Sequence, residues 1–299
     1  MKSKLSLIAL VLLAGVTAAQ AAHPASGCSN KDLAGVYGML ATGTIIIAPG
    51  FPATLLGPFA RVGRVVADGN GNISVANTAS YNGNIIPESY SGTYTVNSDC
   101  SVDIRPVVGL PLGPGGSLVP VPFEFVGALA DNGNSAAVVL CGLGPGVPCF
   151  PAPMATGNVI RVLLSKQDDN RSICQTKNLS GAFQLDMAGS VIAGGMPEPF
   201  ARDGLLAFDG RGGFSGHATV SSSGLPVLAE DITGTYSVDS LCNVSIAYSL
   251  AGAHTWSGTL SNQSNAADLI VAETGSIVSG TLRAVKSGNG DEFQEHRDE

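Results

Sequence analysis

Apolar residues in this chain occur in short alternating runs that are separated by glycine-rich turns. The runs at 61–66 and 72–75 flank an Asp-Gly-Asn-Gly sequence at 68–71. Such a sequence between apolar runs is a strong local indication of a β-hairpin, because these residues tolerate positive φ. A second hairpin is predicted at 131–134, between 123–129 and 136–140. No window carries a sustained period of 3.6 residues, so the pattern predicts β-strands throughout.

The same succession of landmarks occurs twice along the chain. The first set comprises Cys28, Leu33, Gly35, Pro58-Phe59-Ala60-Arg61, Asp68-Gly69, Gly92-Thr93-Tyr94 and Cys100, and the second comprises Cys174, Leu179, Gly181, Pro199-Phe200-Ala201-Arg202, Asp209-Gly210, Gly234-Thr235-Tyr236 and Cys242. Matches that keep their order over such a length indicate an internal duplication. We therefore expect copy one at 28–166, a polar linker at 167–173 and copy two at 174–286.

The turn positions predict about eight short strands in each copy. Eight antiparallel strands in roughly 140 residues suit a small up-and-down barrel, which leaves no exposed sheet edge. The sequence thus predicts an all-β protein of two tandem small antiparallel β-barrels, with β-sandwiches as the alternative. A single outer-membrane barrel is not favoured, because only 6% of the residues are aromatic and the pattern restarts at Cys174.

The N-terminal residues 1–21 have the features of a secretory signal peptide. Lys2 and Lys4 precede an apolar run at 5–16, and a small-residue cleavage sequence follows at 19–21. The apolar run is short for a bilayer span, so a cleaved leader is favoured over an uncleaved N-terminal anchor, and no later segment reaches the length of a transmembrane helix without Gly, Pro or charge. We therefore expect a secreted or periplasmic protein whose mature chain has no transmembrane segment.

The composition excludes some classes of function. The net charge is −8, and loss of Lys2 and Lys4 with the leader would make it −10. An acidic chain with few Lys and Arg residues binds nucleic acid poorly, because contacts to phosphate need these cations. Part of the acidity lies in the last residues, 287–299, which we expect to form a disordered tail. Hydrophobic residues make up 44% of the chain, which is ample for a folded core.

Six cysteines allow fifteen pairings, and the repeat favours one of them. Cys28 and Cys100 stand at the same landmarks as Cys174 and Cys242, so a bridge of the ancestral module would pair Cys28 with Cys100 and Cys174 with Cys242. That leaves Cys141 and Cys149 to close a small loop in copy one. An exported chain meets the oxidising conditions that such bonds need.

A metal site is not expected. No Cys-x-x-Cys sequence occurs, and no histidine stands at ligand spacing from a cysteine. The Asp68-x-Asn70-x-Asn72 sequence begins like a calcium-binding loop, but a glycine at its sixth position and a glutamate at its twelfth are both missing. A plain hairpin is the favoured interpretation.

Five residues are candidates for lining a ligand pocket. Arg61 and Arg202 recur at the same repeat position, and an arginine offers a planar set of donors to a carboxylate. An exposed arginine at the start of a strand is the simpler interpretation. Glu124 stands in an apolar strand and would be a base if it faced a barrel interior, although a solvent-facing side chain is more usual. His254 and Trp256 fall at the matching place in copy two, where a surface histidine is again the simpler interpretation.

The landmarks Leu33-x-Gly35-x-Tyr37, Asp68-Gly69-Asn70-Gly71-Asn72 and Gly92-Thr93-Tyr94-x-Val96-x-x-x-Cys100 resemble a group of uncharacterised secreted bacterial tandem-repeat β proteins. That group is similar to allene oxide cyclase-like or calycin-like barrels, and the resemblance covers both copies. It implies a barrel fold. The polar pocket residues of allene oxide cyclases have no matching motif here, so the resemblance implies no catalytic residue.

These observations predict a non-enzymatic protein that binds a small apolar ligand in a barrel mouth or has a surface or structural role. The alternative is a cofactor-free isomerase or cyclase that would use Glu124 or His254 in a barrel pocket. No nucleotide loop or hydrolase motif occurs, and no cofactor is expected. The sequence does not fix the oligomeric state.

Overall fold

The structure is a computed structural model that describes residues 27–46, 52–110, 117–143, 159–167, 174–222, 228–250, 252–261 and 265–285. These residues form two closed antiparallel barrels of eight strands each. The predicted fold class is therefore confirmed, and the sheets close into barrels rather than packing as sandwiches. Among the described residues, no helix is long and apolar enough to cross a membrane.

Barrel one closes by pairing its first strand with its last. Its strands are β1 (Gly35–Ile45), β2 (Gly57–Ala67), β3 (Asn72–Tyr81), β4 (Asn84–Val96), β5 (Ser101–Leu110), β6 (Val119–Ala130), β7 (Ser135–Leu143) and β8 (Val159–Lys166). Each strand pairs with its neighbour in sequence, and β1 pairs with β8. Short 3-10 helices occur at Asn30–Leu33, Ala53–Leu55 and Asp131–Gly133.

Barrel two repeats this arrangement. Its strands are β9 (Ser180–Ala193), β10 (Met196–Asp209), β11 (Gly213–Ser222), β12 (Leu228–Val238), β13 (Asn243–Ser249), β14 (Ala253–Ser261), β15 (Ala266–Val271) and β16 (Ser276–Ala284). A 3-10 helix at Thr176–Asn178 precedes β9, and β16 closes the barrel on β9. Each barrel has its own apolar core.

The repeated Asp-Gly sequence forms the same hairpin turn in both barrels. The Asp68 carboxylate accepts hydrogen bonds from the backbone amides of Asn70 and Asn72, and the Asp209 carboxylate accepts from three backbone amides of its own turn. The side-chain and backbone hydrogen bonds from Asn72 hold the pKa of Asp68 below its usual value, and backbone amides lower the pKa of Asp209. These carboxylates therefore stabilise hairpins.

Both long-range disulfides predicted from the repeat are present. Cys28 bonds to Cys100 and Cys174 bonds to Cys242, with a Cα–Cα distance of 5.0 Å in each case. Each bond ties the segment before the first strand of a barrel to the hairpin between its fourth and fifth strands. Cytosolic thiols are usually kept reduced, so two disulfides are typical of a protein outside the cytoplasm.

Several predictions fall partly or wholly outside the described residues. Cys141 lies in β7, whereas Cys149, its expected partner, lies outside them. The expected signal peptide at 1–21, the linker positions 168–173 and the acidic tail at 287–299 also lie outside.

The two barrels pack against each other through outward-facing residues. Ala60 and Val62 of β2 form a buried apolar cluster with Ile270 and Ile277 of barrel two. Polar contacts accompany it: the Ser80 hydroxyl donates to the backbone oxygen of Ser276 (2.7 Å), the amide of Gly275 to the oxygen of Gly83 (2.9 Å), and Gln167 Nε2 to the Thr259 hydroxyl (3.0 Å). Close packing together with hydrogen bonds fixes the orientation of one barrel against the other.

Candidate functional site

Strand alternation directs Arg61 into barrel one. Side chains along a strand point alternately to opposite faces. Ala60 and Val62 face barrel two, so Phe59 and Arg61 face the interior, where Phe59 belongs to the apolar core. Only 3% of Arg61 is exposed to solvent. The arginine predicted to be a solvent-exposed side chain or a pocket residue is therefore a buried interior charge.

Arg61 is neutralised by a carboxylate that the sequence analysis did not identify. Its Nη2 lies 2.8 Å from Glu88 Oε2, and its two terminal nitrogens donate to the hydroxyls of Tyr81 (2.6 Å) and Tyr90 (3.0 Å). The Glu88 carboxylate also accepts from the Tyr81 hydroxyl (2.6 Å) and from Asn77 Nδ2 (2.7 Å). A buried ion pair is stable only when such further hydrogen bonds compensate for the loss of water.

The electrostatics of this cluster keep the arginine and both tyrosines in one protonation state near pH 7. Burial acts to lower the pKa of Arg61, but Glu88 and the two tyrosines outweigh it, so the pKa is raised above its ordinary value. Burial raises the pKa of Tyr90 to about 12 and raises that of Tyr81 well above its usual value. The guanidinium is therefore always charged and both phenols are neutral near pH 7, which leaves none of these three side chains to exchange protons there.

Barrel two contains the same pair in a more open setting. Arg202 Nη2 lies 3.0 Å from Glu230 Oε2, and Nη1 donates to the Tyr248 hydroxyl at 2.6 Å. The side chains of Arg202 and Glu230 are 8% and 17% exposed, against 4% and 1% for Arg61 and Glu88. Water therefore reaches the second pair more readily than the first.

Three aromatic rings surround each guanidinium. Those around Arg61 belong to Phe59, Tyr81 and Tyr90, and those around Arg202 belong to Phe200, Tyr248 and Trp256; every centroid lies within 6 Å of the guanidinium carbon. Such placements are favourable because the ring faces are electronegative. Only the phenylalanine is the same repeat position in both barrels.

The sequence contains a signal for the missed glutamates. Glu88 stands four residues before Gly92-Thr93-Tyr94, and Glu230 stands four residues before Gly234-Thr235-Tyr236. The number of residues between arginine and glutamate differs by one in the two copies, which hides the match when both are aligned from the arginine. Alignment from the Gly-Thr-Tyr landmark reveals it.

Some buried polar atoms of these clusters have no hydrogen-bond partner within the described chain. They are Arg61 Nε, Asn77 Oδ1, Arg202 Nε and Trp256 Nε1. Arg61 lines a cavity of about 30 Å³ inside barrel one, which is enough for ordered water but far too small for a ligand. In barrel two, the guanidinium of Arg202 lies over the Trp256 ring, so two unpartnered donors belong to side chains in contact.

His254 and Trp256 lie on the same inward face of β14 at different depths. Trp256 is completely buried, whereas the His254 side chain is 31% exposed. The Tyr248 ring lies 4.9 Å from both, centroid to centroid. His254 Nδ1 contacts Glu273 Oε2 at 3.1 Å, and Nε2 lies 2.9 Å from the backbone oxygen of Leu250. The structure thus brings three of the five candidates, Arg202, His254 and Trp256, to one cluster.

Glu124 lies apart from this cluster. Its neighbours Phe123 and Phe125 are buried in the core of barrel one, so Glu124 faces outward. Its carboxylate lies 2.8 Å from Arg105 Nη2, whose side chain is 61% exposed. Glu124 therefore does not line the barrel interior, because the alternation that buries the two phenylalanines turns the glutamate outward.

The described residues contain no group of three or more His, Cys, Asp or Glu side chains arranged to hold a metal ion. In each barrel the central arginine is held by a glutamate and at least one tyrosine. In barrel two, the more open of the two, the unpartnered Arg202 Nε and Trp256 Nε1 are hydrogen-bond donors that a bound molecule could use.

Comparisons with known proteins give little beyond this geometry. No protein-family model matches the chain, and no curated protein matches it. Among solved structures, a protein of unknown function from the DUF3598 family of Nostoc punctiforme is similar, with 12% sequence identity and a TM-score of 0.23. The match covers 86% of this chain and 99% of that one. Any functional conclusion must therefore come from the residues of the two barrels.

Proposed function

We propose that this is an exported, non-enzymatic protein with a structural or surface role, in which two packed barrels form a rigid unit. One observation supports the proposal most strongly: the cavity that Arg61 lines inside barrel one has a volume of only about 30 Å³. Sites for small molecules usually measure about 300–1,000 Å³. The leader-like sequence at 1–21 and the two disulfides support export.

The interior ion pair of barrel one fits a structural role. Glu88 already neutralises Arg61, and two phenols and an amide complete the contacts. A ligand carboxylate would have to displace Glu88 and leave that carboxylate buried without its partner, which costs several kcal/mol. We therefore assign Arg61 and Glu88 to the core rather than to recognition.

Barrel two supports a second candidate function, the binding of a small apolar ligand. The Arg202 Nε and Trp256 Nε1 donors have no partner among the described residues, and Glu230 and His254 are partly open to solvent. A small molecule with an apolar body and one carbonyl oxygen would suit this cluster. Because Glu230 already balances the charge of Arg202, a neutral acceptor is preferred over a carboxylate.

A cofactor-free isomerase or cyclase has less support. Such a reaction needs a base within reach of a bound substrate. Glu124 lies on the outer face of barrel one, so that role would fall to His254, which contacts Glu273 and stacks on Tyr248.

Native mass spectrometry of the protein purified from its own compartment tests the proposal. We expect the mass of the bare chain and no thermal shift across a lipid panel. A co-purified molecule would favour the second candidate, provided that Arg202→Gln loses it while the matched Arg61→Gln variant keeps it. A co-purified molecule that both variants keep would place its site outside the two barrel interiors and contradict the second candidate.

A further inference from the structure

A cleft of about 370 Å³ lies between the two barrels. Its walls come from β2, β3 and β4 of barrel one and from β12, β13, β14 and the β12–β13 turn of barrel two. Its volume falls within the range of small-molecule sites, about 300–1,000 Å³. Neither module forms this space alone, so it exists only because the two copies pack together.

The barrel-two wall carries a row of three serine hydroxyls. Ser237 is the cross-strand partner of Ser245, and Ser245 is the partner of Ser257, so the three stand side by side on adjacent strands. Their neighbours Val238, Val244 and Trp256 are buried in the barrel, so the serines face outward into the cleft. Adjacent strands lie about 4.8 Å apart, which sets the spacing of the row.

These hydroxyls are available to a bound molecule. Thr78 adds a fourth from barrel one, and none of the four makes a side-chain hydrogen bond to another described residue. A hydroxyl both donates and accepts, so the row can bind a partner that presents hydroxyls of its own. Val62 and Ala76 supply apolar surface beside the row.

The charge of the cleft selects the class of ligand. The described lining contains no Lys, Arg or His, and its two carboxylates are that of Asp239, which is exposed, and that of Glu88, which Arg61 already neutralises. Asp239 already accepts hydrogen bonds from the Leu241 and Asn243 amides and from Asn243 Nδ2, but a carboxylate has about four acceptor sites. An anionic ligand would be repelled, whereas a hydroxyl donor would be accepted.

The fold also argues against a peptide strand as the ligand. An extended peptide is usually bound through backbone hydrogen bonds at a free sheet edge. Both barrels are closed, so their strands have backbone partners on both sides. Recognition in the cleft must therefore use side chains, chiefly the four hydroxyls and the Asp239 carboxylate.

We propose that the cleft between the barrels binds a neutral polyhydroxylated molecule, a saccharide of one or two rings, through the serine row and Asp239. The inter-barrel contacts hold the two walls in place before binding, which lowers the entropy cost of association. The inference goes beyond the proposed structural role, which stands whether or not the cleft is occupied.

An NMR titration of the full-length ¹⁵N-labelled protein tests this. The probes are glucose and maltose, with glucuronate and glucosamine as charged counterparts. We expect the neutral sugars to shift the amide signals of Ser237, Ser245 and Ser257, and glucuronate to leave them unchanged. Binding of glucosamine alone, or no shift along the row with either neutral sugar, would overturn the proposal.

A pair of variants on β13 locates the site. Ser245→Trp would fill the cleft and should weaken sugar binding by at least about tenfold. Ser249→Trp is the matched control, since Ser249 is an exposed residue of the same strand outside the cleft lining, and it should change binding by less than about twofold. Equal losses in both would contradict the assignment. If Ser245→Trp fails to fold, Asp239→Asn takes its place as the test variant. It keeps an acceptor for the turn and should weaken sugar binding.

Discussion

The interiors of the two barrels share an arginine–glutamate pair but differ in how they enclose it. In barrel one the side chains of Arg61 and Glu88 are at most 4% exposed, and two tyrosines complete the cluster. In barrel two Glu230 is 17% exposed, and one tyrosine, Tyr248, supplies the hydroxyl contact. Both copies keep the charge pair, but the tyrosines that contact it lie on different strands, β3 and β4 in barrel one and β13 in barrel two. Four predictions test how far the two barrels are alike, and the largest effect is expected at the sealed pair.

Replacement of Glu88 by Gln should have the largest effect on stability. It removes the negative charge beside Arg61 and leaves a guanidinium buried without a counter-charge, which typically costs about 3–5 kcal/mol of unfolding free energy. Denaturant unfolding measures this loss. A loss below about 1 kcal/mol would show that the pair is hydrated and would contradict the sealed interior.

Removal of either long disulfide should destabilise the protein by about 2–5 kcal/mol. The two bonds join residues 72 and 68 positions apart, so the double replacements Cys28→Ser/Cys100→Ser and Cys174→Ser/Cys242→Ser should have nearly equal effects in thermal unfolding. Non-reducing peptide mapping checks the pairing itself. A peptide that joined Cys28 to Cys174 would refute two independently closed modules.

The Glu230→Gln variant should lose less stability than Glu88→Gln, about 1–3 kcal/mol. Solvent already reaches part of Glu230, so water can replace part of its interaction with Arg202. The same denaturant experiment gives the comparison. Equal losses for the two glutamates would mean that the difference in exposure has no energetic consequence.

The pH dependence of stability also distinguishes the two barrels. Asp268 of β15 corresponds to Ala137 of β7, because both stand ten residues after the matching glycines Gly258 and Gly127. Burial raises the pKa of Asp268 from its ordinary value of 3.8 to about 6, and Arg283 opposes the shift. The folded protein thus binds a proton that the unfolded chain has lost between these two values, so stability should fall as pH rises from about 4 to above 6.

Asp268→Asn removes this dependence. It should stabilise the protein by about 1–3 kcal/mol at pH 7 and have no effect below pH 4. Thermal unfolding of both proteins at several pH values measures the difference. A variant whose stability kept the same slope between pH 4 and 6 would show that another group titrates there.

Local sequence signals account for most of what could be predicted. The Asp68 and Asp209 turns are set by residues within four positions of each other, and the repeat alone selected the Cys28–Cys100 and Cys174–Cys242 bonds. The barrel fold followed from strand number and length.

The contacts that could not be predicted join strands far apart in sequence. Tyr248 lies 46 residues from Arg202, and no period or motif links them. The orientation of the Glu124 side chain could not be predicted without knowing which face of β6 is buried. The cleft could not be predicted from either copy alone, because Thr78 and Ser245 line the same space only when the two barrels pack together.

The most direct test of the central claim is the water exchange of the arginine Nε–H signals in a uniformly ¹⁵N-labelled protein. The account predicts slow exchange for Arg61 and Arg202, whose Nε atoms are both buried, with Arg61 the slower of the two, and fast exchange for Arg105, whose side chain is 61% exposed. Exchange of Arg61 and Arg202 as fast as that of Arg105 would contradict a buried charge pair copied into each barrel.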